Sequence, residues 1–190
     1  MATSGEEQHV TTRSAIVTGA AAGIGRATVD LLVRDGWHVV GVDRSGGALS
    51  GGELIIGDAR DESVLQDAVE SCKGRVGALV CSAGIPPSGP WDSREHWDEV
   101  LGIDLSAPYE ALRICWPALV AARGSAVLVG SVVGALEGSL RSPAYAAAKA
   151  GIEGMARSFA VIGAPDGVRV NVVAPGAIAT DFDSRLLPAD

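Results

Sequence analysis

The run Ala15-Ile16-Val17-Thr18-Gly19-Ala20-Ala21-Ala22-Gly23-Ile24-Gly25 decides how this chain folds. Ala15–Val17 reads as a buried strand, the next residues as a tight glycine turn, and Gly25–Arg34 as an amphipathic helix. Glycine lets the backbone bend sharply and come close to a ligand, while a helix that starts in the turn presents unpaired amides and a positive dipole end. A turn of this kind is weak evidence by itself, because many glycine-rich strand-to-helix turns are only turns. Its meaning comes from what surrounds it.

Outward from the turn, strand-like runs at Trp37–Val42, Glu53–Ile56, Gly77–Cys81, Ser125–Val129 and Val168–Val173 alternate with helical patterns. The helices are expected at Glu62–Cys72, Arg94–Leu119 with a bend near Pro117, and Tyr145–Ile162. Parallel neighbours need crossover connections, so this alternation predicts an α/β doubly wound parallel sheet in three layers. Arg44–Gly52 is rich in Gly and Ser and reads as a turn without a helix. Ile85–Pro90 reads as a loop. A loose leader is expected over residues 1–13, and a single core from residue 14 to residue 190.

Composition narrows the function classes. The 190 residues are 47% hydrophobic but only 4% aromatic, so the core must rest on Ala, Val, Leu and Ile, as in a buried parallel sheet. A net charge of −8 argues against a nucleic-acid surface, which needs clustered Lys and Arg. No apolar run reaches the roughly 20 residues that span a bilayer. Cys72, Cys81 and Cys115 have no metal-type spacing, and His9, His38 and His96 are dispersed, so no metal site is expected. The absence of a signal-peptide pattern makes a cytoplasmic location the expectation. Trp91 and Trp97 are expected to pack under the Ile85–Pro90 loop, and Cys81 to be a buried filler.

Asp43 ends the second strand 18 residues after Gly25, near the offset at which an acid can bond an adenosine ribose. A carboxylate there accepts from ribose hydroxyls and repels a 2′-phosphate, which favours NAD(H) over NADP(H). Arg44 beside it could offset that repulsion or stack near adenine. Farther along, Tyr145 and Lys149 stand four apart and share a helix face. An ammonium close to a phenol favours the phenolate, so Tyr145 is expected to be drawn from its ordinary pKa near 10 toward a useful acid/base range. Ser131, at the end of the fifth strand, could hold a substrate oxygen beside it.

These motifs together resemble the short-chain dehydrogenase/reductase (SDR) family over residues 14 to about 182. Thr18 to Gly25 has the family's glycine spacing, and Tyr145 with Lys149 is its Tyr-X-X-X-Lys motif. Ser82, Ala83 and Gly84 lie in a segment similar to the family's Asn-Asn-Ala-Gly, of which Ala83 and Gly84 match. The resemblance implies a Rossmann-type sheet of strand order 3-2-1-4-5-6. It also implies cofactor contacts from Gly19, Ala22, Gly23, Ile24, Gly25, Asp43, Arg44, Asp58, Ala59, Ser82, Ala83 and Gly84. Tyr145, Lys149, Pro175, Gly176, Ile178 and Thr180 would complete them, with Thr180 and the backbone at Ile178 on the carboxamide. The implied catalytic set is Ser131, Tyr145 and Lys149, with Asp104 where the family carries an Asn whose main chain supports a proton-relay water. The implied activity is an NAD-dependent exchange between a secondary alcohol and a ketone on a small molecule, in a homodimer or homotetramer built through the two long helices around Leu105–Val120 and Ala146–Phe159, the family's fourth and fifth. The chain stops ten residues after Thr180, so a final strand and the family's later segments are expected to be missing. A non-catalytic nucleotide-binding relative or an inactive truncated form is the alternative.

Overall fold

A computed structural model describes residues 13–182. The leader expected over residues 1–13 therefore lies outside the described residues except for Arg13, as do residues 183–190. Six strands, β1 (Ser14–Thr18), β2 (His38–Asp43), β3 (Glu53–Ile56), β4 (Ala78–Cys81), β5 (Ser125–Val129) and β6 (Arg169–Val173), form one parallel sheet of order β3-β2-β1-β4-β5-β6. The doubly wound architecture and its strand order are as expected. After β3 the chain crosses back over β1 to lay down β4, so the order reverses between β1 and β4. That reversal opens a crevice at the carboxyl ends of the strands, where ligands bind in open α/β sheets.

The helices are α1 (Gly23–Arg34), α2 (Glu62–Ser71), α3 (Arg94–Leu101), α4 (Ala107–Ala122), the single turn α5 (Val132–Ala135) and α6 (Pro143–Gly163). Side chains alternate across a strand, and here both directions are buried. Ile16, Val40 and Val42 join Leu65 of α2, Leu112 and Leu119 of α4 and Ile152 of α6 in the largest apolar cluster. Val17 and Val39 meet Val29 of α1 in another. Each such side chain contributes roughly 1.5–3 kcal/mol by leaving water. The connection from β2 to β3 has no helix, as its composition predicts. No described helix is long and apolar enough to cross a membrane.

One expectation fails. Pro117 sits inside α4, but the helix predicted over Arg94–Leu119 is not continuous. It is interrupted earlier by a π-turn at Gly102–Ser106, where the Ala107 amide bonds back to the Gly102 carbonyl. The wider turn inserts one extra residue per loop of backbone, and such turns recur at functional positions. Here it carries Asp104 into the interior.

Candidate functional site

The glycine turn fits β1 to α1 by close approach. Gly19 adopts φ +69°, and a Cβ on it would lie 2.7 Å from the Ala83 amide nitrogen; a Cβ on Gly25 would run into the Gly19 carbonyl. Ala22 caps α1 without a side-chain bond, and no acid stands in its first turn. Among the described helices α1 alone lacks both, so its first amides remain open to an anion. α2, by contrast, is capped by Asp61 with Glu62 following.

Beside this turn lies a cleft of about 210 Å³ lined by Gly19, Asp43, Arg44, Asp58, Ala83 and Gly84, with Ala59 on its wall. Asp43 accepts from the Ala21 amide at 3.0 Å and from the Ser45 amide at 2.8 Å, which ties the end of β2 to the glycine turn. Asp58 is gripped by Arg60, Nε to Oδ1 at 3.0 Å and Nη2 to Oδ2 at 2.7 Å. That guanidinium holds the Asp58 carboxyl below the usual range, against the opposing effect of partial burial. Ser82 and Ala83 donate backbone amides to the Thr18 carbonyl and hydroxyl. On the other side of α1, Thr180 faces Gly23, and an open groove of about 620 Å³ runs between α1 and Ile178–Asp181. The Pro175 carbonyl accepts from the Val132 amide at 3.0 Å, which joins the Pro175-Gly176 segment to the Ser131 turn.

Ser131, Tyr145 and Lys149 meet where β5 and α6 come together. Ser131 caps α5, its hydroxyl accepting from the Val133 amide at 3.1 Å. Tyr145 is 7% exposed, so only its edge reaches solvent. Lys149 Nζ stands 5.4 Å from the Tyr145 ring centroid and donates to the Val129 carbonyl at 3.1 Å. Asp104 joins from the π-turn: Oδ1 lies 3.1 Å from Lys149 Nζ, and Oδ2 accepts from the Ile85 amide at 3.3 Å.

The electrostatics correct the expectation for Tyr145. Burial, then the negative charge of Asp104, push its phenol up to about 12, and the hydrogen bond from Ser131 only partly offsets them. The spacing argument counted Lys149 alone. In the fold the Lys149 charge is already matched by a carboxylate. Asp104 itself is pushed up by burial and pulled back by Lys149 and the Ile85 amide.

Sequence reasoning missed two contributors. Ser142, fully buried, caps α6 by accepting from the Tyr145 amide at 3.2 Å, and its Oγ lies 3.2 Å from His96 Nε2. Together they fix the start of the helix that carries Tyr145. The only sequence signal was a Ser before Pro143, three residues ahead of Tyr145, which is an ordinary helix-start pattern. Ser142→Ala is expected to cost about 1–3 kcal/mol, since it removes a cap and leaves a buried amide and imidazole unpaired. Urea unfolding of the variant measures it.

Other expectations divide. Trp97 and Ile85 both pack against the cluster of Val100, Ala144, Tyr145 and Ala148, whereas Trp91, expected to pack under the loop, is 71% exposed. Cys81 is buried, and burial raises its thiol far above the reactive range. The described residues contain no group of His, Cys, Asp or Glu fit to hold a metal.

Known proteins resemble this chain in sequence and in fold. The family model described as short chain dehydrogenase matches residues 13–189. The chain is 37% identical over 188 residues to the human mitochondrial dehydrogenase/reductase SDR family member 2, covering 90% of this chain and 66% of that protein. It is 34% identical over 186 residues to the 3-oxoacyl-[acyl-carrier-protein] reductase FabG of Salmonella typhimurium, covering 90% and 76%. The ligand-free aldohexose dehydrogenase of Thermoplasma acidophilum superposes with a TM-score of 0.83 at 27% identity, over 90% of this chain and 69% of that one. The chain thus spans about two thirds of the length of the first of these relatives.

Proposed function

Because the chain belongs to the short-chain dehydrogenase family, we propose that it is an NAD(H)-dependent oxidoreductase interconverting a secondary alcohol and a ketone, with Tyr145 as the general acid/base. The observation that carries this reading is the meeting of Ser131, Tyr145 and Lys149 where β5 and α6 come together, on the same sheet as a glycine turn that is held by close backbone approaches at Gly19 and Gly25 and opens a helix with uncapped amides.

A nicotinamide dinucleotide fits that turn, and when bound it supplies or accepts the hydride. The open amides at Ala22, Gly23, Ile24 and Gly25 would take its pyrophosphate, and Asp43 its adenosine ribose. Adenine would lie near Asp58 and Ala59. Ser82, Ala83 and Gly84 would flank the cofactor, while Pro175, Gly176, Ile178 and Thr180 would close on the nicotinamide end. Arg44, exposed at the cleft mouth, would border the ribose. Lys149 would bond the nicotinamide ribose. Ser131 holds the substrate oxygen, and Tyr145 gives it a proton in reduction or takes one in oxidation. The substrate class is a small alcohol or carbonyl compound.

We further read α4 and α6 as a surface for a second copy of the chain. Phe159 meets Tyr109 and Trp116 there with tilted rings, at centroid distances of 6.3 and 5.2 Å, and Tyr109 and Val161 are exposed.

A second reading, a nucleotide-binding relative without turnover, draws support from the Asp104–Lys149 pair, which engages the lysine. The two readings part on NADH consumption with a panel of ketones. Consumption supports the enzyme; binding of NADH with no consumption by any ketone supports the alternative. Cofactor choice has its own test. Asp43→Ala, with Arg44 kept, is expected to narrow the preference for NADH over NADPH by about tenfold or more, because the charge opposing a 2′-phosphate is gone. Titration of both cofactors by thermal stabilisation reads it, and an unchanged affinity ratio removes Asp43 from the ribose site.

A further inference from the structure

Asp104 stands where the family pattern has an Asn, and it is fully buried on the π-turn. Space is made for its carboxylate: a Cβ on Gly84 would lie 2.7 Å from Oδ1 and 3.8 Å from Lys149 Nζ. Oδ1 has Lys149 at 3.1 Å and no other polar partner among the described residues. A buried ammonium whose charge is matched this closely has little left with which to favour a neighbouring anion.

Resting on the reading of Tyr145 as acid/base, we propose that Asp104 is a positioning residue that balances the Lys149 charge and so sets the pH at which Tyr145 releases its proton. Reduction then draws on a phenol that stays loaded across the neutral range. With a bound reduced nicotinamide supplying the hydride to the carbonyl carbon, the carbonyl oxygen would take the Tyr145 proton, and the tyrosinate left behind would recover a proton from solvent. Oxidation needs the tyrosinate first, so its rate climbs with pH in step with the small tyrosinate fraction and stays far below its limit at neutral pH. The overall equilibrium is unchanged. The direction of the Tyr145 shift, with burial and Asp104 as its two causes, agrees with this geometry.

The groups around the phenol leave Asp104 as the negative charge that faces it. α6 contributes Tyr145 and Lys149, and the π-turn contributes Asp104. α3 contributes His96 through Ser142, while its Arg94, Glu95, Asp98 and Glu99 are exposed. Ser131 is uncharged, and Glu137 beyond α5 is exposed.

The chain has two tyrosines, so tyrosinate absorption can be assigned. Tyr109→Phe leaves Tyr145 as the reporter, and Tyr109 has no part in the site. Adding Asp104→Asn to that background, and following absorbance and circular dichroism together as pH rises, is expected to bring tyrosinate formation in the folded protein down by about one pH unit or more. Asp104→Ser, which also removes the charge and keeps a hydroxyl for the Ile85 amide, is expected to act the same way if the Asn variant folds poorly. Tyrosinate that forms no earlier in either folded variant than in the reference overturns the proposal. The titration needs no turnover, so a chain that reduces no ketone would sink the enzyme reading and leave this result standing on its own.

Discussion

Replacing Gly25 by alanine is expected to abolish measurable NADH binding, weakening it about 100-fold or more, equivalent to ~2.8 kcal/mol. The new Cβ would overlap the Gly19 carbonyl, and that carbonyl has nowhere to go. The Gly19 amide donates to the Val42 carbonyl at 2.9 Å, and the other side of Gly19 is closed by the Ala83 backbone. The clash can be relieved only by opening the turn, which moves the amides of α1 away from where a pyrophosphate would sit. Gly36→Ala makes the matched control. It places a side chain at φ +79° with nothing within 4 Å, so it should lower stability by about 1 kcal/mol through backbone strain and leave cofactor affinity alone. Isothermal titration of both variants with NADH separates the cases. A Gly25→Ala protein that binds within tenfold of the parent would remove the turn from cofactor binding.

What made this fold legible was burial on both faces of the sheet. Runs such as Ala15–Val17 and Ser125–Val129 must be strands because their neighbours on either side are turns or helix patterns, and a short apolar run between them has nowhere else to go. The glycine turn was legible because spacing at 19, 23 and 25 is a backbone requirement, and the close contacts at Gly19 and Gly25 are that requirement in atoms. The π-turn was not legible. Trp97, Val100, Leu101 and Leu105 recur at the three- and four-residue spacing that continues a helix on paper, and a one-residue widening is hard to see against a period of 3.6. Pro117, a strong local signal, lies inside α4, which continues past it to Ala122.

The site's electrostatics were hidden by distance along the chain. Tyr145 and Lys149 announce each other because they are four apart, whereas Asp104 reaches them only through the packing of the π-turn against α6. A reading confined to spacing therefore sees the cation and misses its counter-ion, and it gets the sign of the Tyr145 shift wrong. The His96–Ser142 contact, 46 residues apart in sequence, was invisible for the same reason. Pair effects between neighbours on one helix can be read from sequence; the charge that decides between them often cannot.

Tyr145→Phe is expected to lower the rate of ketone reduction by about 10²–10⁴-fold, the range that a positioned proton donor supplies, and to change NADH affinity less than threefold. The ring is retained, so the packing against Val100, Ala144 and Ala148 survives and the fold should hold. What disappears is the phenol hydroxyl that, on the proposed reading, hands a proton to a substrate oxygen held by Ser131. Lys149 cannot take over, because its ammonium is engaged by Asp104 and the Val129 carbonyl. A proton from water would have to serve, and water lacks the fixed position that makes donation fast. The raised Tyr145 pKa gives the pH dependence its sign. A phenol that titrates at about 12 is protonated throughout the neutral range, so the parent's reduction rate should stay level from pH 6 to pH 9 as far as this group is concerned. Oxidation by the parent should rise about tenfold per pH unit over the same range, in step with the tyrosinate fraction, and the Phe variant should lose that slope. Steady-state rates in both directions read the two together. A variant that keeps its oxidation slope, or reduces ketones within tenfold of the parent, would take Tyr145 out of the chemistry and leave the proton to another group.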